Sequence, residues 1–185
     1  MPTITATTAD LHPRAELFAI ATYARARALA PDTPDADRPA LLELDDEAHF
    51  TGQHCYPGGP WDRSNFKVAM ILEDFRRDAA RAGLAPLDTT DVPALLLDAA
   101  TTALRNCYRN RPHVVTEVQI GAGPFGGRVE WCAITRTVTR YADGTERTDI
   151  SYPALPLHYF LTGLAALRPP TLGDTLTLPV ALPAT

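Results

Sequence analysis

Lysine is all but missing from this chain: Lys67 is the only one, so the rest of its 17 basic residues are arginines. Chemistry that needs a lysine amine, such as a Schiff base or a lysine-held phosphate, is therefore confined to Lys67. Cysteine is scarce as well. Cys55, Cys107 and Cys132 are an odd count with no CxxC pair, which excludes a disulfide framework and fits a reducing compartment. No apolar run approaches the roughly 18 residues of a membrane span. The opening Met1-Pro2-Thr3-Ile4-Thr5-Ala6 has neither a basic region nor a long apolar stretch, so no secretory signal is read and the cytoplasm is the expected location. Positive charge is also short. The net charge is −5, whereas a nucleic-acid binder is expected to present a basic footprint.

What the chain does have is apolar residues, 45% of 185. A chain of that size buries roughly two-thirds of its unfolded surface and folds without metal or disulfides. Residues 1–12 are polar and threonine-rich and read as a loose N-terminal arm. Residues 13–185 read as a single domain, interrupted by the Pro/Asp-rich linker 31–39.

Periodicity divides that domain into helices first and strands later. Leu17, Ile20, Ala24 and Ala28 recur at helical spacing over Pro13–Ala30, and a short helix is expected over Ala40–Ala48. Over Asn65–Ala82, Val68, Ile71, Leu72, Phe75 and Ala79 form one stripe. Glu73 stands four residues before Arg77, in the order that favours an ion pair, and Gly83 is placed to end the helix. Pro93–Arg109 buries Leu96, Leu97, Ala100, Ala103, Leu104 and Cys107, with Asp91 as its cap. From His113 the apolar period changes from about 3.6 to 2. Val114, Thr116, Val118 and Ile120 share one side of a strand. A second strand, Arg128–Tyr141, changes its inward phase midway, which a bulge near Ala133 reconciles. Asp143-Gly144 predicts a hairpin. A type I turn with Gly144 in a G1 bulge pairs Arg140 with Glu146 and Ile134 with Tyr152, and avoids facing Arg140 with Arg147. Leu157, Phe160, Leu161, Leu164 and Leu167 mark a last helix. Leu176, Leu178, Val180 and Leu182 alternate in a final strand that Pro179 confines to an edge. The predicted class is α+β, with N-terminal helices packed on an antiparallel sheet of three or more strands, a late C-terminal helix and a final edge strand.

Three stretches invite a chemical reading. Gly121-Ala122-Gly123-Pro124-Phe125-Gly126 fits GxGxxG, but a dinucleotide fingerprint requires a helix next, and Arg128-Val129-Glu130-Trp131 favours a strand. As strand–glycine loop–strand it is closer, over about nine residues, to the phosphate-covering loop of protein kinases. No lysine follows it and no HRD or DFG motif exists. A hairpin loop whose glycines meet turn geometry is the plainer expectation. The arginines and threonines Arg136, Arg140, Arg147, Thr135, Thr137, Thr139 and Thr148 form a polar hairpin face. Glu130, Asp143, Glu146 and Asp149 are interspersed among them, which favours a solvated face over a nucleic-acid groove binder.

The densest stretch is His49-Phe50-Thr51-Gly52-Gln53-His54-Cys55-Tyr56-Pro57-Gly58-Gly59-Pro60-Trp61-Asp62, read as a loop. His49, His54 and Cys55 are candidate zinc ligands, although adjacent His54 and Cys55 chelate awkwardly. Cys55 is alternatively a nucleophile, with His54 beside it and His113 or His158 as base. Against both stands a structural loop in which Tyr56 and Trp61 pack over the Asn65 helix. Tyr152, His158 and Tyr159 read as packing near the last helix. Cys107 and Cys132 read as inert small hydrophobes. With no complete catalytic set in view, the expected function is a non-catalytic binding or assembly protein, working through a protein partner, self-association or a small-molecule ligand. The alternative is a small enzyme with its site near the His49–Asp62 segment.

Overall fold

The structure, a computed structural model, describes residues 13–55, 65–108, 114–125, 128–141, 143–151, 155–167 and 169–180. The order is α1 (Pro13–Leu29), α2 (Arg38–His54), α3 (Asn65–Arg81), α4 (Val92–Tyr108), β1 (Val114–Phe125), β2 (Arg128–Arg140), β3 (Glu146–Ser151), α5 (Leu155–Leu167) and β4 (Thr175–Pro179). This is the expected α+β class, with the sheet antiparallel and the late helix and final strand in place. Within α4 the chain passes from one compact unit, Ala6–Leu96, to a second that starts at Leu97. The arm 1–12 lies outside the described residues.

In the helical unit α1 is buried on more than one side. Ala15, Leu17, Phe18, Ala19, Ile20, Ala21, Ala24 and Ala28 are all core residues, because α1 packs against both α2 and α3. Its alanines let those helices approach closely. Successive contacts of α1 with α2 run in opposite directions along the two helices: Arg25 bonds Asp45, Phe18 meets His49 and Arg14 bonds Gly52. The helices are therefore antiparallel. The Pro/Asp linker between them is a tight connection rather than a boundary. Buried Thr33 donates to the Arg27 carbonyl at 2.5 Å, and Arg38 donates to the Thr33 carbonyl at 3.1 Å.

Helix α2 is longer than Ala40–Ala48. Pro39 sits in its first turn, where proline is tolerated, so the helix starts at Arg38. At the other end it continues to His54 because Thr51 is buried and Gly52 lies against Phe18 and Arg14 of α1. A Cβ on Gly52 would stand 3.1 Å from the Phe18 ring, so close helix packing overrides the low helix propensity of glycine. The His49–His54 part of the expected loop is thus helix, and Tyr56 to Asp62 lie outside the described residues. Helix α3 ends as expected at Gly83, whose φ is +77°. The Leu84 N–H reaches the Ala79 carbonyl and the Gly83 N–H the Ala80 carbonyl, a Schellman cap that turns buried Leu84 inward. On α3 the ion pairs are spaced i,i+3: Glu73 bonds Arg76 rather than Arg77, and Arg77 bonds Asp74.

In the second unit the sheet order is β3-β2-β1-β4. Val118, Ile120, Trp131, Ile134, Leu176 and Leu178 supply its buried positions, and α5 lies against β2 with Leu161 and Leu164 buried. Strand β4 is an edge carrying Pro179, as expected. The hairpin has the expected register and its positive-φ glycine: the Gly144 N–H bonds the Tyr141 carbonyl, Gly144 has φ +82°, and Arg140 pairs with Glu146. Ile134, however, pairs with Ser151, not Tyr152, because β2 has one residue more than β3 between Ile134 and Thr137.

The expected change of phase in β2 also has a physical form. Against β1 the register slips at Cys132 and again at Thr135, on either side of Ala133, which brings Trp131, Ile134 and Thr137 all to buried positions. The described part of the glycine stretch, Gly121 to Phe125, is strand rather than loop. Gly121, Ala122 and Gly123 pair with Ala133, Trp131 and Glu130 inside the β1–β2 ladder, and the strand β2 follows. The slip also buries Thr137 and Thr139, which had been expected on a solvated face, while Arg136, Arg140 and Arg147 are exposed.

Candidate functional site

Among the described residues that the sequence singled out for chemistry, His49, His54 and Cys55 each have a separate role in α2. His49 is a core residue between α1 and α2, edge-on to Phe18 at 5.1 Å between ring centroids. Its Nε2 lies 2.9 Å from the Gln53 amide nitrogen, which can only donate, so that imidazole nitrogen accepts. Burial, helped by the positive charges of Arg25 and Arg14, pushes the His49 pKa down to about 4. The ring is neutral at physiological pH. His54 donates from Nδ1 to the Phe50 carbonyl at 2.7 Å, and its ring lies tilted against that of Phe50. Cys55 caps the helix through its N–H to Thr51, and burial pushes its thiol pKa up despite nearby Arg14. A protonated thiol is the opposite of an activated nucleophile. Among the described residues no three His, Cys, Asp or Glu side chains are placed to share a metal ion. His113 lies outside the described residues, as does the side chain of His158. Cys107, expected to be buried, is exposed.

A different site is built in the helical unit, by α1, α3 and the extended segment after α3. Ile20 and Tyr23 of α1, Ala79 and Ala80 of α3, and Leu84 to Leu87 line a groove of about 190 Å³. Two features of the sequence make it. Ala79 and Ala80 leave space where longer side chains on α3 would fill it. The positive φ of Gly83 then turns the chain back so that Leu84, Ala85, Pro86 and Leu87 form the far wall. Pro86 keeps that wall extended by fixing its own φ and restricting Ala85.

The groove has one polar end. Arg76 Nε and Nη2 donate to the two oxygens of Glu16 at 2.6 and 2.7 Å, a bidentate fork between α3 and α1. Arg76 Nη1 also donates to Glu73 at 3.2 Å. The bonds to Glu16 raise the Arg76 pKa above its ordinary value. The lining is therefore mostly apolar, with Tyr23 as its aromatic member and a single fixed ion pair. Spacing along α3 had placed Ala79 on the buried stripe, with Arg76 outside it. Its pairing with a carboxylate 60 residues away in sequence leaves no trace in any local pattern.

Such an arrangement suits binding. Apolar walls with a few fixed polar groups are the ordinary make-up of a small-molecule site. Among the described residues no helix is long and apolar enough to cross a membrane. In comparison with known proteins, the chain matches no family model, and no curated protein or solved structure resembles it significantly.

Proposed function

We propose that this is a non-catalytic binding protein whose helical unit takes up a small, mainly apolar molecule in the groove between α1, α3 and Leu84–Leu87. The observation that carries this reading is the groove itself: about 190 Å³ of space walled by alanine, leucine, isoleucine, proline and tyrosine. An apolar cavity of roughly 150 Å³ accepts benzene, so the fit is to a ligand of about one ring. The neutral, hydrogen-bonded His49 and the raised pKa of Cys55 support a role without covalent or acid–base chemistry. The negative net charge supports a small-molecule ligand over nucleic acid. Free Cys55 and Cys107 support a reducing compartment, and we place the protein in the cytoplasm on that ground.

Benzyl alcohol, neutral and of one-ring size, is the probe. Ligand-observed NMR on the whole chain should show saturable binding that Ala79→Leu abolishes by filling the floor of the groove. Binding that Ala79→Leu leaves unchanged would overturn the reading.

A further inference from the structure

Resting on that reading, we infer the chemical class of the ligand: a small primary amine, one ring or a short aliphatic body bearing an ammonium group, held by Glu16 in the place of Arg76. The two partners of the ion pair at the end of the groove are not equivalent. The Glu16 side chain is 12% exposed and that of Arg76 46% exposed. Among the described residues Arg76 is the ion-pair partner of Glu16, whereas Arg76 has a second acid in Glu73 on its own helix. An incoming cation therefore displaces a group that has somewhere to go. Arg76 swings toward Glu73 and water, where an exposed guanidinium costs little, and Glu16 exchanges one charge-assisted partner for another.

An incoming carboxylate meets the reverse situation. It must separate Arg76 from Glu16 and leave that nearly buried carboxylate without compensation beside a second negative charge. Desolvation and repulsion act together against it. The asymmetry in burial thus makes the site select cations and reject acids, although the pair itself is neutral. Glu16 and Arg76 are the charged members of the lining, and Tyr23 adds an aromatic wall on which a cation is tolerated.

Benzylamine, benzyl alcohol and benzoate share a ring and differ in charge, and their binding to the whole chain can be compared by calorimetry or NMR titration. Benzylamine is expected to bind about tenfold more tightly than benzyl alcohol, the scale of one charged hydrogen bond over a neutral one. Benzoate is expected to be weakest, and the amine preference should shrink as salt is raised. In Glu16→Gln the preference should vanish while benzyl alcohol still binds. Arg76→Gln, an exposed and conservative change, removes the competing cation and should strengthen benzylamine binding, which decides the matter even if Glu16→Gln folds poorly. Equal affinity for amine and alcohol, a preference for benzoate, or an amine affinity lowered by Arg76→Gln would overturn the amine assignment and leave the groove as a neutral apolar site. Failure of all three probes to bind would remove the groove reading itself.

Discussion

His49 shows what a buried imidazole contributes when two arginines share its surroundings. Its folded pKa of about 4 lies below the ordinary 6.5, because burial and the charges of Arg25 and Arg14 all oppose protonation. Between those values the unfolded chain binds a proton that the folded chain does not. Stability from this residue is complete above pH 6.5 and falls away as the pH drops to about 4, with no further loss below. Near pH 4.5 the loss should amount to roughly 2–3 kcal/mol. The His49 imidazole resonances should titrate with a midpoint near 4. Urea unfolding at pH 7 and about pH 4.5 should show the loss, and His49→Gln should remove most of it. A His49 midpoint near 6.5 would sink this account. The sequence flagged His49, His54 and Cys55 for their chemical types, and types alone could not separate ligands from core residues. What places His49 in the core is helical spacing: Leu41, Leu44, Asp45, Ala48, His49 and Gly52 follow one buried stripe of α2. The expected helix stopped at Ala48, and the rest of the stripe fell in the segment read as a loop.

At the scale of elements the helix and strand types were legible wherever one face alone is buried. Leu72 in α3, Leu96, Ala100 and Leu104 in α4 and Leu176 and Leu178 in β4 are buried as their spacing requires. The turn at Asp143-Gly144 was legible for a stereochemical reason, since charge pairing left one register for Arg140 and Glu146. The glycine stretch misled because glycine serves close approach as well as turns. Gly121 has an ordinary strand conformation, and its lack of a side chain is what admits Thr135: a Cβ there would stand 2.4 Å from the threonine Cγ2. The Thr135 hydroxyl meanwhile donates to the Gln119 carbonyl and side-chain oxygen at 3.3 and 3.1 Å, holding the bulged residue in place. Gly121→Ala should therefore cost about 1–3 kcal/mol by overpacking. Thr135→Ser deletes the offending methyl and keeps the hydroxyl, so the double variant should recover most of that cost. Calorimetric unfolding of the two single variants and the double one tests the coupling. Additive losses would show that Thr135 does not set the glycine requirement.

For the molecule as a whole, no sequence pattern marks a division after Leu96, because α4 carries one continuous apolar stripe across it. Only the folded chain shows two cores, one around Leu17, Phe18, Leu41 and Leu44 and one around Trp131, Ile120, Leu164 and Leu178. Units with their own cores can lose structure at different conditions. The titration of His49 provides a means of separating them, since it acts within Ala6–Leu96. Trp131 is 1% exposed and reports on the unit from Leu97 onward. With Trp61→Phe it becomes the single tryptophan, while helical circular dichroism weighs α1, α2 and α3 most heavily. Lowering the pH to about 4.5 should move the circular-dichroism midpoint down by about 10 °C or more relative to the Trp131 fluorescence midpoint, as expected for a unit of this size. Adding His49→Gln should close most of that gap. If both signals shift together at either pH, with or without His49, the two cores melt as one and the division at Leu96 is geometric only. If they separate as expected, ligand stabilisation by an amine should appear in the circular-dichroism transition first, because Glu16, Arg76 and the groove belong to the same unit as His49.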